Sequence, residues 1–141
     1  MRLSKILVTL SLALLTQSTV SAQQPSSRLL NKDRPGEYIE MKDYLRGKGD
    51  ELVVFVSDQS SSCLRFKELL EPLAARAGFT INYLSIDRPG RQDIDWRSPL
   101  AQQFNIFEVP YVMLYQARQK RLEGLAARKW LLETRDKLVG I

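Results

Sequence analysis

The chain has 141 residues, of which 26% are charged, and a formal net charge of +5. It has no histidine and one cysteine, Cys63. The lack of histidine excludes Ser-His and Cys-His catalysis and the commonest metal ligand, and one cysteine excludes an internal disulfide or a cysteine-rich metal site. We therefore expect no metal and no cofactor. Basic and acidic residues are interspersed, which favours a solvated surface over a nucleic-acid interface.

The first 22 residues have the pattern of a secretory signal peptide. Arg2 and Lys5 provide a positive n-region, residues 6–15 are apolar, and residues 20–22 (Val-Ser-Ala) form a small-residue cleavage site. The apolar run is too short to span a bilayer, and no cysteine follows it for lipid attachment. The pattern predicts an exported protein, periplasmic or secreted, with no stable membrane anchor after cleavage.

The next two segments are predicted to be a linker and a helix. Residues 23–35 are polar and rich in proline and serine, which predicts a flexible lead-in before a folded domain over 36–141. Residues 37–48 are predicted to form the first helix, because Tyr38, Met41 and Tyr44 recur at helical spacing.

A strand, a helix and a second strand are predicted next. Residues 52–57 are apolar at nearly every position, which is typical of a central strand covered on both faces. A helix over 60–77 follows, with Pro72 as a kink and Gly78 as a stop signal. Residues 80–86 form a second strand, parallel to the first because a helix joins them.

The last third of the chain is predicted to complete an α/β domain. A polar loop over 87–97 leads to a short helix that Ser98 and Pro99 begin. Strands over 111–115 and 121–123 and a helix over 125–138 follow. The predicted architecture is a central mixed sheet of about four strands flanked by helices.

Four segments in this order resemble the thioredoxin-like superfamily. The strand, turn and helix start over 53–63 end in Ser60-Ser61-Ser62-Cys63, an S-x-x-C at the place of the family's C-x-x-C. Ile86-Asp87 resembles the end of the next strand, residues 105–111 resemble the segment with the family's cis-proline, and Gly124 precedes the last helix. The resemblance implies a thioredoxin fold with Pro110 as the cis-proline.

The chain departs from this family at the residues that perform its redox chemistry. Ser60 stands where the family has its attacking cysteine, and a serine hydroxyl is not ionised near neutral pH without a base. The family's buried aspartate corresponds to Val54, its lysine partner to Tyr83, and the tryptophan before the motif to Gln59. The departures imply that this chain alone does not turn over disulfides.

Two interpretations of Cys63 stay open at this point. Free cysteine is often a packed, inert hydrophobe. Alternatively, a position in the first helical turn lowers a thiol pKa while burial raises it, and a reactive thiol there forms a mixed disulfide or a sulfenic acid. Peroxiredoxins resemble this segment through their P-x-x-x-[ST]-x-x-C motif, but Val56 replaces the proline and no resolving cysteine exists.

The leading hypothesis is a non-catalytic or accessory module that binds a protein or peptide client. In the family, the backbone before the cis-proline pairs with an extended substrate segment, which implies a groove at Val109, Pro110 and Tyr111 beside Ser60 and Cys63. The alternative is a monothiol thiol-disulfide protein or a peroxiredoxin-like peroxidase that acts through Cys63. Trp96 is a further candidate for the groove's edge.

Overall fold

The computed structural model describes residues 27–140, which form one mixed sheet with helices on both faces. The predicted signal peptide over 1–22 and the cleavage site lie outside the described residues. The elements in chain order are β1 (Ser27–Leu29), a 3₁₀ helix (Met41–Asp43), β2 (Asp50–Val56), α1 (Ser61–Ala77), β3 (Thr80–Ser85), α2 (Pro99–Gln103), β4 (Tyr111–Gln116), β5 (Gln119–Glu123) and α3 (Leu125–Val139). Within the described part, no helix is long and apolar enough to cross a bilayer.

The sheet has the order β1-β3-β2-β4-β5, with β2 parallel to β3 and antiparallel to β4. The mixed sheet and its four predicted strands are confirmed, and β1 adds a fifth. Side chains of β2 alternate between two hydrophobic cores. Val54 faces the core under α1 and α3, whereas Phe55 faces the core under α2. The continuous apolar run of β2 is therefore explained by burial on both faces.

Three residues of the predicted flexible lead-in, Ser27–Leu29, are part of the sheet. Strand β1 pairs in parallel with β3 at the edge of the sheet. Beyond the strand, the Asn31 side chain continues this pairing: its Nδ2 donates to the Ser85 carbonyl at 2.8 Å, and its Oδ1 accepts from the Ser85 N–H at 2.9 Å. Residues 27–29 of the predicted lead-in therefore form an edge strand, and residues 23–26 lie outside the described part of the chain.

The predicted helix over 37–48 is wrong, because only the short 3₁₀ helix forms there. Side chains from elsewhere occupy backbone groups that a helix would need. The Gln103 amide accepts from the Ile39 N–H at 3.1 Å and donates to its carbonyl at 2.7 Å, and Glu51 accepts from the Gly47 N–H at 2.6 Å. Gly47 has a φ of 76°, which ends any right-handed turn. The apolar residues of this segment pack without a helix.

The remaining helices begin and end close to their predicted bounds. Helix α1 runs from the Ser60 cap through Pro72 to Gly78, which adopts the left-handed conformation at φ 79°. Helix α2 is capped by the Ser98 hydroxyl, which accepts from the Ala101 N–H at 3.1 Å. Helix α3 follows Gly124 and buries its inner face against the sheet. Together, α1 and α3 cover one face of the sheet.

Candidate functional site

The S-x-x-C segment forms the turn from β2 into α1. Ser60 has extended φ and ψ angles of −110° and 114°, and its hydroxyl accepts a hydrogen bond from the Cys63 N–H at 3.3 Å. This is the geometry of a serine N-cap, which satisfies one of the free N–H groups at a helix start. The Ser60 oxygen is therefore engaged in capping the helix that presents Cys63.

Cys63 points into the protein. Its exposed fraction is 1%, and it belongs to the hydrophobic core between the sheet and helices α1 and α3. Thiol–disulfide exchange requires access of one sulfur to another. In this conformation the Cys63 thiol is closed off from any external disulfide.

Val54 and Tyr83 are paired neighbours on β2 and β3, and both lie in the same core as Cys63. Burial, with a smaller contribution from Glu71, raises the pKa of Tyr83 well above its usual range, so this phenol is neutral. The Lys67 ammonium lies 4.8 Å from the centroid of the Tyr83 ring. Neither Val54 nor Tyr83 offers a base that could take the proton of the Cys63 thiol at neutral pH.

The Val109–Pro110 segment lies against the same core, and its peptide bond is cis. Pro110 is buried, whereas Val109 is half-buried. The N–H and C=O of Val109 make no hydrogen bond with another residue in the described part of the chain. The Pro110 carbonyl accepts from Arg128 Nη2 at 2.6 Å, and the Tyr111 hydroxyl donates to Glu123 at 3.1 Å. Arg128 and Glu123 thus hold Pro110 and Tyr111 in place, whereas the Val109 N–H and C=O have no partner among the described residues.

Sequence analysis missed a buried polar network behind the turn. Asp87, two residues after β3, accepts from the Ser57 hydroxyl at 2.6 Å and from the Asp95 N–H at 2.9 Å. Asp95 in turn accepts from the Arg88 guanidinium at 2.8 and 3.1 Å, and this bonding holds the pKa of the Asp95 carboxyl below its usual range. The signal in the sequence was a single acidic residue, Asp87, close to the end of a buried strand. The network fixes the loop over 87–97 beside the S-x-x-C turn.

Three exposed apolar side chains belong to the segments that meet at this edge. Leu64 follows Cys63 and is 56% exposed, Phe107 precedes Val109 by two positions and is 84% exposed, and Trp96 at the end of the loop is 40% exposed. Sequence analysis named only Trp96. The structure adds Leu64 and Phe107, which no periodic pattern marks because both lie at an element's start or in a loop.

The fold is that of the thioredoxins. Solved structures with this fold include a mutant thioredoxin from Halobacterium salinarum NRC-1 (TM-score 0.54, 18% identity, covering 82% of this chain and 93% of that chain). Thioredoxin f2 from Chlamydomonas reinhardtii has a TM-score of 0.53 at 18% identity, covering 81% of this chain and 94% of that chain. Thioredoxin O2 from Arabidopsis thaliana in its oxidised state has a TM-score of 0.52 at 14% identity, covering 80% and 93%. No protein-family model and no curated protein matches the sequence.

Proposed function

Because the chain has the thioredoxin fold, we propose that it is an exported, non-catalytic module that binds an extended segment of a client protein at Val109 and Pro110. The observation that supports this most directly is a contrast within the site. The Cys63 thiol is 1% exposed, while the Val109 N–H and C=O are unpaired among the described residues. The backbone groups that could pair with a client have no partner among the described residues, whereas the thiol that could react is buried.

The absence of redox turnover follows from the chemistry of the S-x-x-C turn. A dithiol reductase attacks with one thiolate and resolves the mixed disulfide with a second. Ser60 supplies a capping hydroxyl instead of a thiol, and Val54 and Tyr83 supply no base near Cys63. A mixed disulfide formed at Cys63 would therefore have no partner within the chain to release it.

The proposal of client binding rests on the unpaired Val109 backbone and on exposed apolar side chains in the neighbouring segments. An extended segment that pairs with Val109 gains main-chain hydrogen bonds, as in other cases of strand addition. Phe107 and Leu64 then bury apolar surface against the client's side chains. Large apolar side chains of this kind carry much of the energy of protein interfaces.

Export rests on the signal-peptide pattern over residues 1–22. Its test is the N-terminal sequence of the protein recovered from the extracytoplasmic fraction of an expressing bacterium. Cleavage after Ala22 gives a mature chain that begins at Gln23. A chain that keeps its first residues and stays in the cytoplasm would contradict export.

Client binding is tested with the mature chain, residues 23–141, and a permanently unfolded probe, reduced and carboxymethylated lactalbumin. Phe107→Ser is expected to weaken binding by about fivefold or more, because truncating a large apolar side chain that contacts the client costs about 1 kcal/mol or more. Leu69→Ser is the matched control, since Leu69 is also exposed but lies on α1, beyond this edge. Equal losses in both variants, or no binding by the parent chain, would contradict the proposal.

Absence of turnover is tested on the same protein through Cys63. The thiol is expected to alkylate slowly in the native state and rapidly in urea, and the chain is expected not to reduce insulin. Rapid native alkylation with a pH midpoint below about 8.5 would instead support the monothiol or peroxidase alternative. Insulin reduction would overturn the non-catalytic assignment.

A further inference from the structure

A second apolar surface lies on the helical face of the molecule. Helices α1 and α3 leave a groove of about 280 Å³ between them, lined mainly by leucines. The lining comes from residues 66–76 of α1 and 131–139 of α3, and includes Leu69, Leu73, Arg76, Leu132, Arg135 and Val139. It begins one helical turn after Cys63 and does not include Val109 or Pro110, so the groove is separate from the proposed client site.

The rim of this groove exposes large apolar side chains. Leu69 is 76% exposed, Leu132 is 51% exposed and Val139 is 52% exposed. A single exposed leucine is ordinary on a soluble protein. Three along one groove form a contiguous patch, and such patches mark interaction surfaces.

The charged residues that line the groove indicate the sign of the charge on its partner. Its ionisable side chains are Arg76 and Arg135, and no aspartate or glutamate lines it. Arg76 makes no ion pair with another residue in the range 27–140, and the ion pair of Arg135 in that range is with its neighbour Asp136, at 3.3 Å. A second copy docked through this face would bring guanidinium groups together, which disfavours self-association. A partner with acidic side chains is complementary to these two arginines.

The shape of the groove indicates the form of the partner. Helices α1 and α3 form its two walls, and it is open to solvent between them. A helix that lies along two others places side chains at i, i+3, i+4 and i+7 into the space between them. We propose that the α1–α3 groove binds an amphipathic helix of a partner protein, whose apolar face enters the groove and whose flanking carboxylates pair with Arg76 and Arg135.

The test uses the mature chain and two labelled synthetic peptides of about 18 residues, or five helical turns. Both peptides carry leucine at i, i+3, i+4 and i+7; one has glutamates beside this stripe and the other has lysines. In fluorescence anisotropy, the glutamate peptide is expected to bind at least about tenfold more tightly, with a smaller difference at high salt. Replacing both arginines, as in Arg76→Glu with Arg135→Glu, is expected to reverse the preference.

Apolar contact is tested by Leu69→Ser, which is expected to weaken binding of the glutamate peptide by about fivefold. Phe107→Ser is the matched control and is expected to leave binding of this peptide unchanged. Circular dichroism confirms that each variant is folded. Equal binding of the two peptides, or no effect of Leu69→Ser, would overturn the proposal. So would a sedimenting dimer of the parent chain that Leu69→Ser abolishes, or binding to anionic lipid vesicles in place of the peptide. None of these results bears on lactalbumin binding through Phe107.

Discussion

The hydroxyl of Tyr83 is buried beneath α1 with no hydrogen-bond partner in the described part of the chain. Its ring is well placed, since it packs in the core and contacts Lys67. An unpaired buried polar group costs about 1–3 kcal/mol relative to an apolar group of the same shape. The aromatic ring of Tyr83 therefore stabilises the fold, whereas its unpaired hydroxyl destabilises it.

Tyr83→Phe is expected to raise the free energy of unfolding by about 1 kcal/mol, measured by urea denaturation at pH 7. Because burial raises the pKa of Tyr83, the parent chain also loses stability above about pH 10, where the unfolded phenol releases its proton and the folded one keeps it. Above this pH, the Tyr83→Phe variant is expected to lose less stability than the parent chain. Tyr115→Phe is the control for the unpaired hydroxyl at pH 7 only, since the Tyr115 hydroxyl contacts Met113 Sδ at 3.8 Å while burial raises the pKa of Tyr115 as well. A less stable Tyr83→Phe chain would contradict the argument.

Individual residues were predictable where their role is local. Ser60 was identifiable as a cap because a serine directly before an apolar helical pattern has few other uses. The positions of Cys63 and Pro110 followed from a family resemblance carried by contiguous motifs. The isolation of the Tyr83 hydroxyl was not predictable, because it depends on which side chains of α1 cover β3. Exposure of Phe107 likewise depends on the path of a loop.

The loop over 87–97 takes its shape from two carboxylates rather than from regular structure. Asp87 connects it to the S-x-x-C turn, and Asp95 accepts from both the backbone N–H and the guanidinium of Arg88. Asp95 is 4% exposed, so its charge depends on these donors. The stability of the loop is consequently expected to depend on ionisation of Asp95.

Asp95→Asn is expected to lower the urea midpoint at pH 7 and to converge with the parent chain in acid. The hydrogen bonds from Arg88 depress the pKa of Asp95, so its contribution is present above the unfolded pKa of about 3.9 and disappears as pH falls through the lower folded value. Midpoints at pH 7, 5 and 3 measure this. Asp93→Asn, an exposed change in the same loop, is the control. An equal loss at all three pH values would mean that shape, not charge, matters.

Elements whose conformation is set by local sequence signals were predicted correctly. The segment whose conformation is set by side chains distant in sequence was not. Strand β2 and helices α1 and α3 carry their apolar pattern and their end signals within a few residues. The segment over 37–48 has a helical pattern of apolar residues, yet Glu51 and Gln103 bind its backbone in another conformation. Long-range hydrogen bonds to the backbone have no local sequence signal.

At the scale of the whole molecule, the first described strand connects parts that are far apart in sequence. Arg28 Nε donates to the Asn82 side chain at 3.0 Å, and Arg28 Nη2 donates to the Tyr44 carbonyl at 2.6 Å. Asn82 in turn donates to the buried carboxylate of Glu51 at 3.3 Å. Burial of the guanidinium, with repulsion from Arg46, lowers the pKa of Arg28. Strand β1 thus links β3, β2 and the 3₁₀ segment.

A chain that begins at Lys32 is therefore expected to be markedly less stable than one that begins at Gln23. It lacks β1, the Arg28 hydrogen bonds and the Asn31 pairing with Ser85, each a contact worth about 1 kcal/mol. Its β3 becomes an unprotected edge, which favours intermolecular strand pairing. Urea denaturation measures the first effect and light scattering the second.

The point variant Asn31→Ala keeps β1 and is expected to lose stability without aggregating, which separates the pairing beyond the strand from the strand itself. A Lys32 chain that unfolds at the parent midpoint would mean that the sheet is complete without its first strand.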